Sequence, residues 1–206
     1  MTKSLTVLAL ALTLCSTNAY AVPIIDQEQL ADTYTIPLES SGTAQSFQQT
    51  NSNIAGGGVL LAAASSLPIT DTVTIGVWDN LPNQVGSTLL ASASGFATSN
   101  SFNDIVFFDV FWSPVAVTPG QTYFLDFANA NASFNLISAQ DLYPNGNAFF
   151  NGYQINGDQT DPRFGFDHGF RTYYEPNQVQ VPEPSTLLLL GLALVGLAVW
   201  RRKHTA

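Results

Sequence analysis

Apolar and polar residues alternate with a period of two through the central part of the chain, and this pattern restricts the fold more than any other feature. Between Asp71 and Trp78, for example, Val73, Ile75 and Val77 alternate with threonines and a glycine. Successive side chains of a β-strand point to opposite faces of a sheet, so this alternation is typical of a strand with one buried face. The same region shows no convincing helix pattern. We therefore expect an all-β domain.

Two other stretches support this prediction. Gln121–Phe127 alternates in the same way, whereas Ile105–Trp112 is apolar on both faces apart from Asp109 and is predicted to be a central, buried strand. Turn signals such as Pro119-Gly120 separate the strands at short intervals. About ten short strands with such turns predict an antiparallel β-sandwich of jelly-roll type. The other predicted strands cover residues 33–38, 45–49, 57–64, 87–94, 133–138, 148–155 and 165–174.

The C-terminal end of the chain has three successive parts. Val181-Pro182-Glu183-Pro184 is predicted to be extended, because each proline fixes its own φ and disfavours the helical region for the residue before it. A transmembrane helix is predicted over about residues 185–200, which are almost entirely Leu, Ala, Gly and Val. The basic tail, residues 201–206, begins with Arg201-Arg202-Lys203, a cluster expected to stop the helix on the cytoplasmic side.

This tail resembles the PEP-CTERM sorting signal of secreted bacterial proteins, which has a Pro-Glu-Pro triplet, an apolar helix and a basic cluster in the same order. The signal is assigned to residues 182–206, and residues 176–181 are assigned to a polar linker. The resemblance implies processing by exosortase, a membrane-embedded enzyme similar to cysteine transpeptidases, and delivery to the cell envelope or the extracellular polysaccharide matrix. A plain C-terminal membrane anchor has the same physical pattern and is the alternative.

Residues 22–175 are predicted to form one exported domain, long enough to bury a core without disulfides. Its short motifs Ser46-Phe47, Trp78-Asp79 and Pro119-Gly120-Gln121-Thr122-Tyr123 resemble those of jelly-roll ectodomains that often precede sorting tails. That resemblance implies a fold and no particular activity.

The N-terminal end has the order of a secretory signal peptide. Lys3 precedes an apolar segment, and the small residues Ala19 and Ala21 follow it. We predict cleavage after Ala21, so that residues 1–21 are removed by the secretion machinery. The only cysteine of the chain lies in this segment, and the mature protein would have no disulfide.

Acidic residues dominate the exported part. The chain has 15 Asp and Glu against 6 Lys and Arg, a net charge of −9, and only Arg163 and Arg171 of its basic residues lie away from the two ends. An acidic surface repels phosphates, so binding to nucleic acid is not expected. The same surface would tolerate neutral glycans and attract divalent cations.

The sequence offers little for catalysis. His168, preceded by Asp167, is the one histidine of the exported part and the only candidate for a general base oriented by a carboxylate. An ordinary loop or edge-strand histidine is the expected alternative. No Gly-x-Ser-x-Gly turn is present, and Gly56-Gly57-Gly58 is predicted to be a bulge or the tight start of a strand. We predict that the protein is not an enzyme.

Two binding sites are possible from composition. Asp158, Asp161 and Asp167 supply dense oxygen ligands, which makes a structural calcium ion the only suggested cofactor. Exposed aromatic rings stack on sugars while amides bond to their hydroxyls, so candidate glycan contacts exist; filling of the core by these rings is the favoured alternative. The candidate contacts are Trp78, Asn147, Asn151 and Tyr153.

Export and the absence of catalytic motifs predict an envelope or matrix protein of structural or interaction type. The alternative is a secreted protein that binds or acts on carbohydrate. Adhesion to ice or other surfaces is a third possibility, although the lack of regular Thr-x-Thr repeats argues against a flat ice-facing array.

Overall fold

The computed structural model describes residues 22–40, 43–82, 84–140, 143–150 and 166–176. The predicted signal peptide, the sorting tail and the candidate residues Asp158, Asp161, Asn151 and Tyr153 lie outside these ranges. In the described part of the chain, no helix has the length and hydropathy needed to cross a bilayer. Val22–Pro176 form one compact unit.

The described residues are built from antiparallel strands, as the alternation predicted. The strands are β1 (Ile24–Gln29), β2 (Tyr34–Pro37), β3 (Thr43–Gln48), β4 (Asn53–Ala63), β5 (Ile69–Trp78), β6 (Leu89–Ser99), β7 (Val106–Ala116), β8 (Thr122–Ala128), β9 (Phe134–Gln140), β10 (Ala148–Phe149), β11 (Phe166–His168) and β12 (Phe170–Tyr174).

These strands form two sheets. The seven-stranded sheet has the order β1-β12-β4-β9-β11, with β7 paired to β4 and β2 paired to β9. The five-stranded sheet has the order β10-β3-β8-β5-β6. In the five-stranded sheet, β5 and β6 are the one pair of described strands that are consecutive in the chain and form a hairpin. The connections from β3 to β4, β4 to β5, β6 to β7 and β7 to β8 each cross from one sheet to the other.

The apolar faces of the two sheets pack against each other and form the core. Phe47 of β3 and Phe170 of β12 come from opposite sheets, and their ring centroids are 6.3 Å apart. Leu125, Ile75 and Leu61 belong to the same cluster and are fully buried. Burial of a side chain of this size contributes roughly 1.5–3 kcal/mol. The β-sandwich prediction is thus confirmed.

Three local predictions need correction. Ile105–Trp112 is not central: β7 is paired with β4, and its Phe111 is 52% exposed. The strand predicted over residues 165–174 is interrupted at Gly169, which donates to Ile137 O and accepts from Leu60 N, both at 2.8 Å, as the chain passes from β9 to β4. Strand β1 was not predicted, because its last four residues, Asp26 to Gln29, are all polar and lack alternation.

Candidate functional site

His168 and Asp167 lie in a buried polar network that joins the two sheets. Gln45 of β3 donates from Nε2 to Asp167 Oδ1 at 2.8 Å and accepts at Oε1 from the backbone N–H of His168 at 2.8 Å. The second carboxylate oxygen of Asp167 accepts from Tyr143 N at 2.8 Å. Ser138 Oγ lies 2.9 Å from His168 Nδ1. These bonds satisfy polar groups that would otherwise destabilise the interior.

The surroundings of His168 do not suit a catalytic base. The residue is fully buried, and it lies in β11, which is the last strand in the order β1-β12-β4-β9-β11, so it is the edge-strand histidine that the sequence offered as the alternative. Burial lowers the pKa of His168 to about 3, although the backbone of Phe149 acts in the opposite direction. The imidazole is therefore neutral at physiological pH and closed to a substrate. The carboxylate of Asp167 accepts from Gln45 and Tyr143, and the His168 ring has Ser138 as its partner at Nδ1.

Asp167 is also the one predicted calcium ligand that the structure describes. Both of its carboxylate oxygens accept hydrogen bonds from protein groups. Across the described ranges, no three His, Cys, Asp or Glu side chains gather closely enough to hold a metal ion. Asp158 and Asp161 lie outside those ranges, so the calcium site stays a prediction.

Gly56 and Gly58 of β4 create a shallow trough on the outer face of the seven-stranded sheet, whereas Gly57 between them faces Leu125 and Ile75 in the core. Gly58 lies between Arg171 of β12 and Asp109 of β7, and a Cβ on Gly58 would come within 2.0 Å of Asp109 Oδ1. The guanidinium reaches across this bare backbone: Arg171 Nη2 is 2.8 Å from Glu28 and Nη1 is 3.7 Å from Asp109. It also covers the ring of Phe107, 3.5 Å from the centroid. The trough therefore holds an ionic row across four strands.

Gly56 likewise leaves space above the sheet, which two aromatic rings occupy. It lies between Tyr173 and Phe111, whose centroids are 4.9 Å apart in an edge-to-face arrangement. Burial and a hydrogen bond to Asp109 raise the pKa of Tyr173 to about 12, while Arg171 opposes this rise. The glycine run was predicted as a bulge or the start of a strand. It lies instead within β4, although its pairing with β7 does shift register between Ile54 and Gly56.

The outer face of the five-stranded sheet carries the predicted glycan contact Trp78. This residue ends β5, is half-buried, and lies opposite Phe124 of β8. Phe124 in turn lies opposite Ser46 of β3, and Ser46 N donates to Asn147 O at 2.9 Å. Trp78 and the exposed Asn147 are thus three strand spacings apart, about 14 Å. Two of the four candidate residues share one sheet, but they are too far apart to contact the same sugar ring.

Sequence reasoning missed Asp126, which lies on the same outer face between Trp78 and Asn147. Its cross-strand neighbours are Gly76 of β5 and Ala44 of β3, neither of which carries a charge. Burial raises the pKa of Asp126 to about 7. The available signal was an acidic residue at an outward position of a strand that is otherwise aromatic and aliphatic.

Comparison with known proteins identifies one segment of the chain. A family model described as the PEP-CTERM protein-sorting motif matches residues 180–203. The chain carries a PEP-CTERM sorting motif. This confirms the resemblance found in the sequence, and the motif implies export through exosortase-dependent sorting to the cell envelope or exterior. A search of curated proteins gave no match.

The PEP-CTERM match includes every residue predicted to act in sorting and stopping. These are Val181, Pro182, Glu183, Pro184, Arg201, Arg202 and Lys203. Their individual roles stay predictions, as does signal cleavage at Ala19 and Ala21.

Proposed function

We propose that the protein is a cell-envelope or extracellular-matrix protein of structural or interaction type, exported by the secretion machinery and released or retained by exosortase. The observation that carries this proposal is the PEP-CTERM motif at residues 180–203, which follows a compact β-domain. The chain has a net charge of −9, and an acidic surface repels the phosphates of nucleic acids, which suits a protein that works outside the cell.

We assign the domain to the jelly-roll type. In one sheet the order is β1-β12-β4-β7, and in the other it is β3-β8-β5-β6. Two Greek keys wound into a sandwich produce this arrangement, and β2, β9, β10 and β11 are then additions to it. Folds of this kind serve many functions, so the fold alone names no ligand.

A non-enzymatic role is part of the proposal. Its support is the state of His168, which is neutral, fully buried and bonded to Ser138. A general base must reach the proton that it removes, and this imidazole cannot do so.

Fractionation of cells that express the tagged full chain tests export. Replacement of Pro182, Glu183 and Pro184 by alanine should leave uncleaved protein in the inner membrane, whereas the wild type is processed and reaches the envelope or medium. Alanines at Asn177, Gln178 and Val179 change a matched number of nearby residues and should not alter processing. Normal processing of the first variant would refute recognition by exosortase.

Carbohydrate binding is the second candidate function. It is favoured by Trp78 and Asn147, which share the outer face of the five-stranded sheet with the half-buried Asp126. Extracellular polysaccharide would then be a partner of the exported domain.

A further inference from the structure

Strand β6 forms one edge of the five-stranded sheet, and its outer side has no pairing partner among the described residues. It is paired with β5 alone, at the end of the order β10-β3-β8-β5-β6. The pairing is regular over Ala91–Ser99, because its one shift in register lies before Ala91. In an antiparallel edge strand every second residue turns its backbone N–H and C=O outward, and these groups can pair with another strand.

Strand β6 lacks the features that keep edge strands from pairing with other molecules, which are short length, charge and proline. The other described edge strands have at least one of them. Strands β10 and β11 have only two and three residues. The longer ones carry Asp26 and Glu28 in β1, Pro37 in β2, and Asp109 and Pro114 in β7. Strand β6 has 11 residues and neither a charge nor a proline, so it is the one long, unprotected edge in the described part of the chain.

Exposed apolar side chains lie on β6 and next to it. Phe96 is 79% exposed on the outer face of the sheet. Leu89 is exposed at the start of the strand, and Phe102 and Ile105 are exposed in the segment that follows its end. A concentration of exposed apolar residues at one place indicates an interaction surface. The backbone of this surface requires another strand as its partner.

The positions of these residues fit a second copy of the same chain. Antiparallel pairing of two β6 strands brings Leu89 of one copy to the end of β6 in the other, where Phe102 lies. Inward residues must stay opposite inward residues, so the two-fold axis passes through a residue, and Gly95 is the middle of the regular segment. Around that axis the two Phe96 side chains are diagonal neighbours, about 7–8 Å apart, which is within reach of aromatic rings.

The distribution of charge also favours a second copy. The chain has a net charge of −9, so two copies repel each other except where charges are absent. No charged residue occurs from Asn80 to Asn103, a segment that includes all of β6. The described chain stops at Phe150, just after β10, which is four strand spacings from β6, about 19 Å, at the opposite edge of the sheet.

We propose that two copies of the protein associate through antiparallel pairing of their β6 strands about a two-fold axis at Gly95. The two five-stranded sheets then form one continuous sheet. The same residues face each other in both copies, as in other interfaces with two-fold symmetry. This association goes beyond the proposed function, because it requires neither sorting nor carbohydrate binding.

Sedimentation of the full chain in a density-matched detergent measures the association, and we expect the wild type to form dimers. Phe96→Lys and Phe96→Glu each place two like charges beside the axis and remove the aromatic contact, so each should weaken dimerisation by about tenfold or more. Because Phe96 is exposed in a single copy, both variants should keep the circular dichroism of the wild type. Leu67→Lys makes the same change at a side chain that is 70% exposed between β4 and β5, and should leave the dimer intact.

An equal mixture of Phe96→Lys and Phe96→Glu provides the sharper test. Opposite charges then face each other across the axis, so the mixture should dimerise about tenfold or more better than either variant alone. Failure of the mixture to recover would refute pairing about Gly95. A wild type that is monomeric at every concentration tested would refute the proposal, and so would a dimer that Phe96→Lys leaves unchanged, since another surface would then hold the copies together. None of these outcomes affects the test of export by fractionation.

Discussion

Replacement of Asp126 by asparagine should stabilise the protein in a pH-dependent way. The carboxyl group lies on a strand face beside Ala44, Gly76 and the ring of Trp78, without a cation among its cross-strand neighbours. Burial raises its pKa from 3.8 to about 7. Asparagine keeps the shape of the side chain and cannot ionise, so it removes this cost alone.

The size of the effect follows from linkage. The folded protein holds the Asp126 proton more tightly than the unfolded chain does. Its contribution to stability is therefore full below pH 3.8 and is lost as the pH rises to about 7. A difference of about 3 pKa units corresponds to about 4 kcal/mol, which we take as an upper limit. The variant should thus match the wild type near pH 4 and exceed it by up to about 4 kcal/mol at pH 8.

Urea unfolding at pH 4, 6 and 8 measures this difference. The quantity to compare is the change in the free energy of unfolding between variant and wild type at each pH, since any constant cost of the amide then cancels. Asp32→Asn, in an exposed loop, serves as the control and should show no comparable trend. An advantage of Asp126→Asn that is constant with pH, or that falls as pH rises, would refute the burial argument.

Two further variants test how the sheets are held together. Gly58→Ala should destabilise the fold by about 1–3 kcal/mol, because the new Cβ would overlap Asp109 Oδ1. In a double-mutant cycle measured by urea unfolding, adding Asp109→Ala should recover part of that loss. Fully additive losses would show that the two positions do not compete for the same space. Gln45→Ala should cost about 2–4 kcal/mol by thermal or urea unfolding, because the N–H of His168 and Oδ1 of Asp167 both lose their partner. Gln48→Ala, on the same strand but near the surface, is its control, and equal losses in the two variants would count against the buried network.

The sandwich could be predicted from the sequence because its signal is local. Alternation around Val73, Ile75 and Val77 depends only on neighbouring residues, and it identified β5 within two residues of its observed start. Polar or glycine-containing strands gave no such signal. The polar edge strand β1 was missed, and the interruption at Gly169 depends on contact with Leu60 of another strand.

The sites were harder to predict because they depend on register between distant strands. The ion pair of Arg171 and Glu28 joins residues separated by 143 positions. Nothing in the sequence says that Gly76 will lie opposite Asp126, since a shift of one residue would turn that carboxylate to the other face. What the sequence does show is a charged residue in a strand whose alternation is otherwise apolar, as at Asp109 and Asp126. In both cases the structure places a glycine directly across from the acid. The Asp109 carboxylate itself occupies the space above Gly58, and Trp78 and Leu89 occupy the space above Gly76. An acid in an apolar strand and an unexplained glycine in another strand are therefore worth considering together. The glycine has no side chain, and so it leaves the space that the acid and its neighbours occupy.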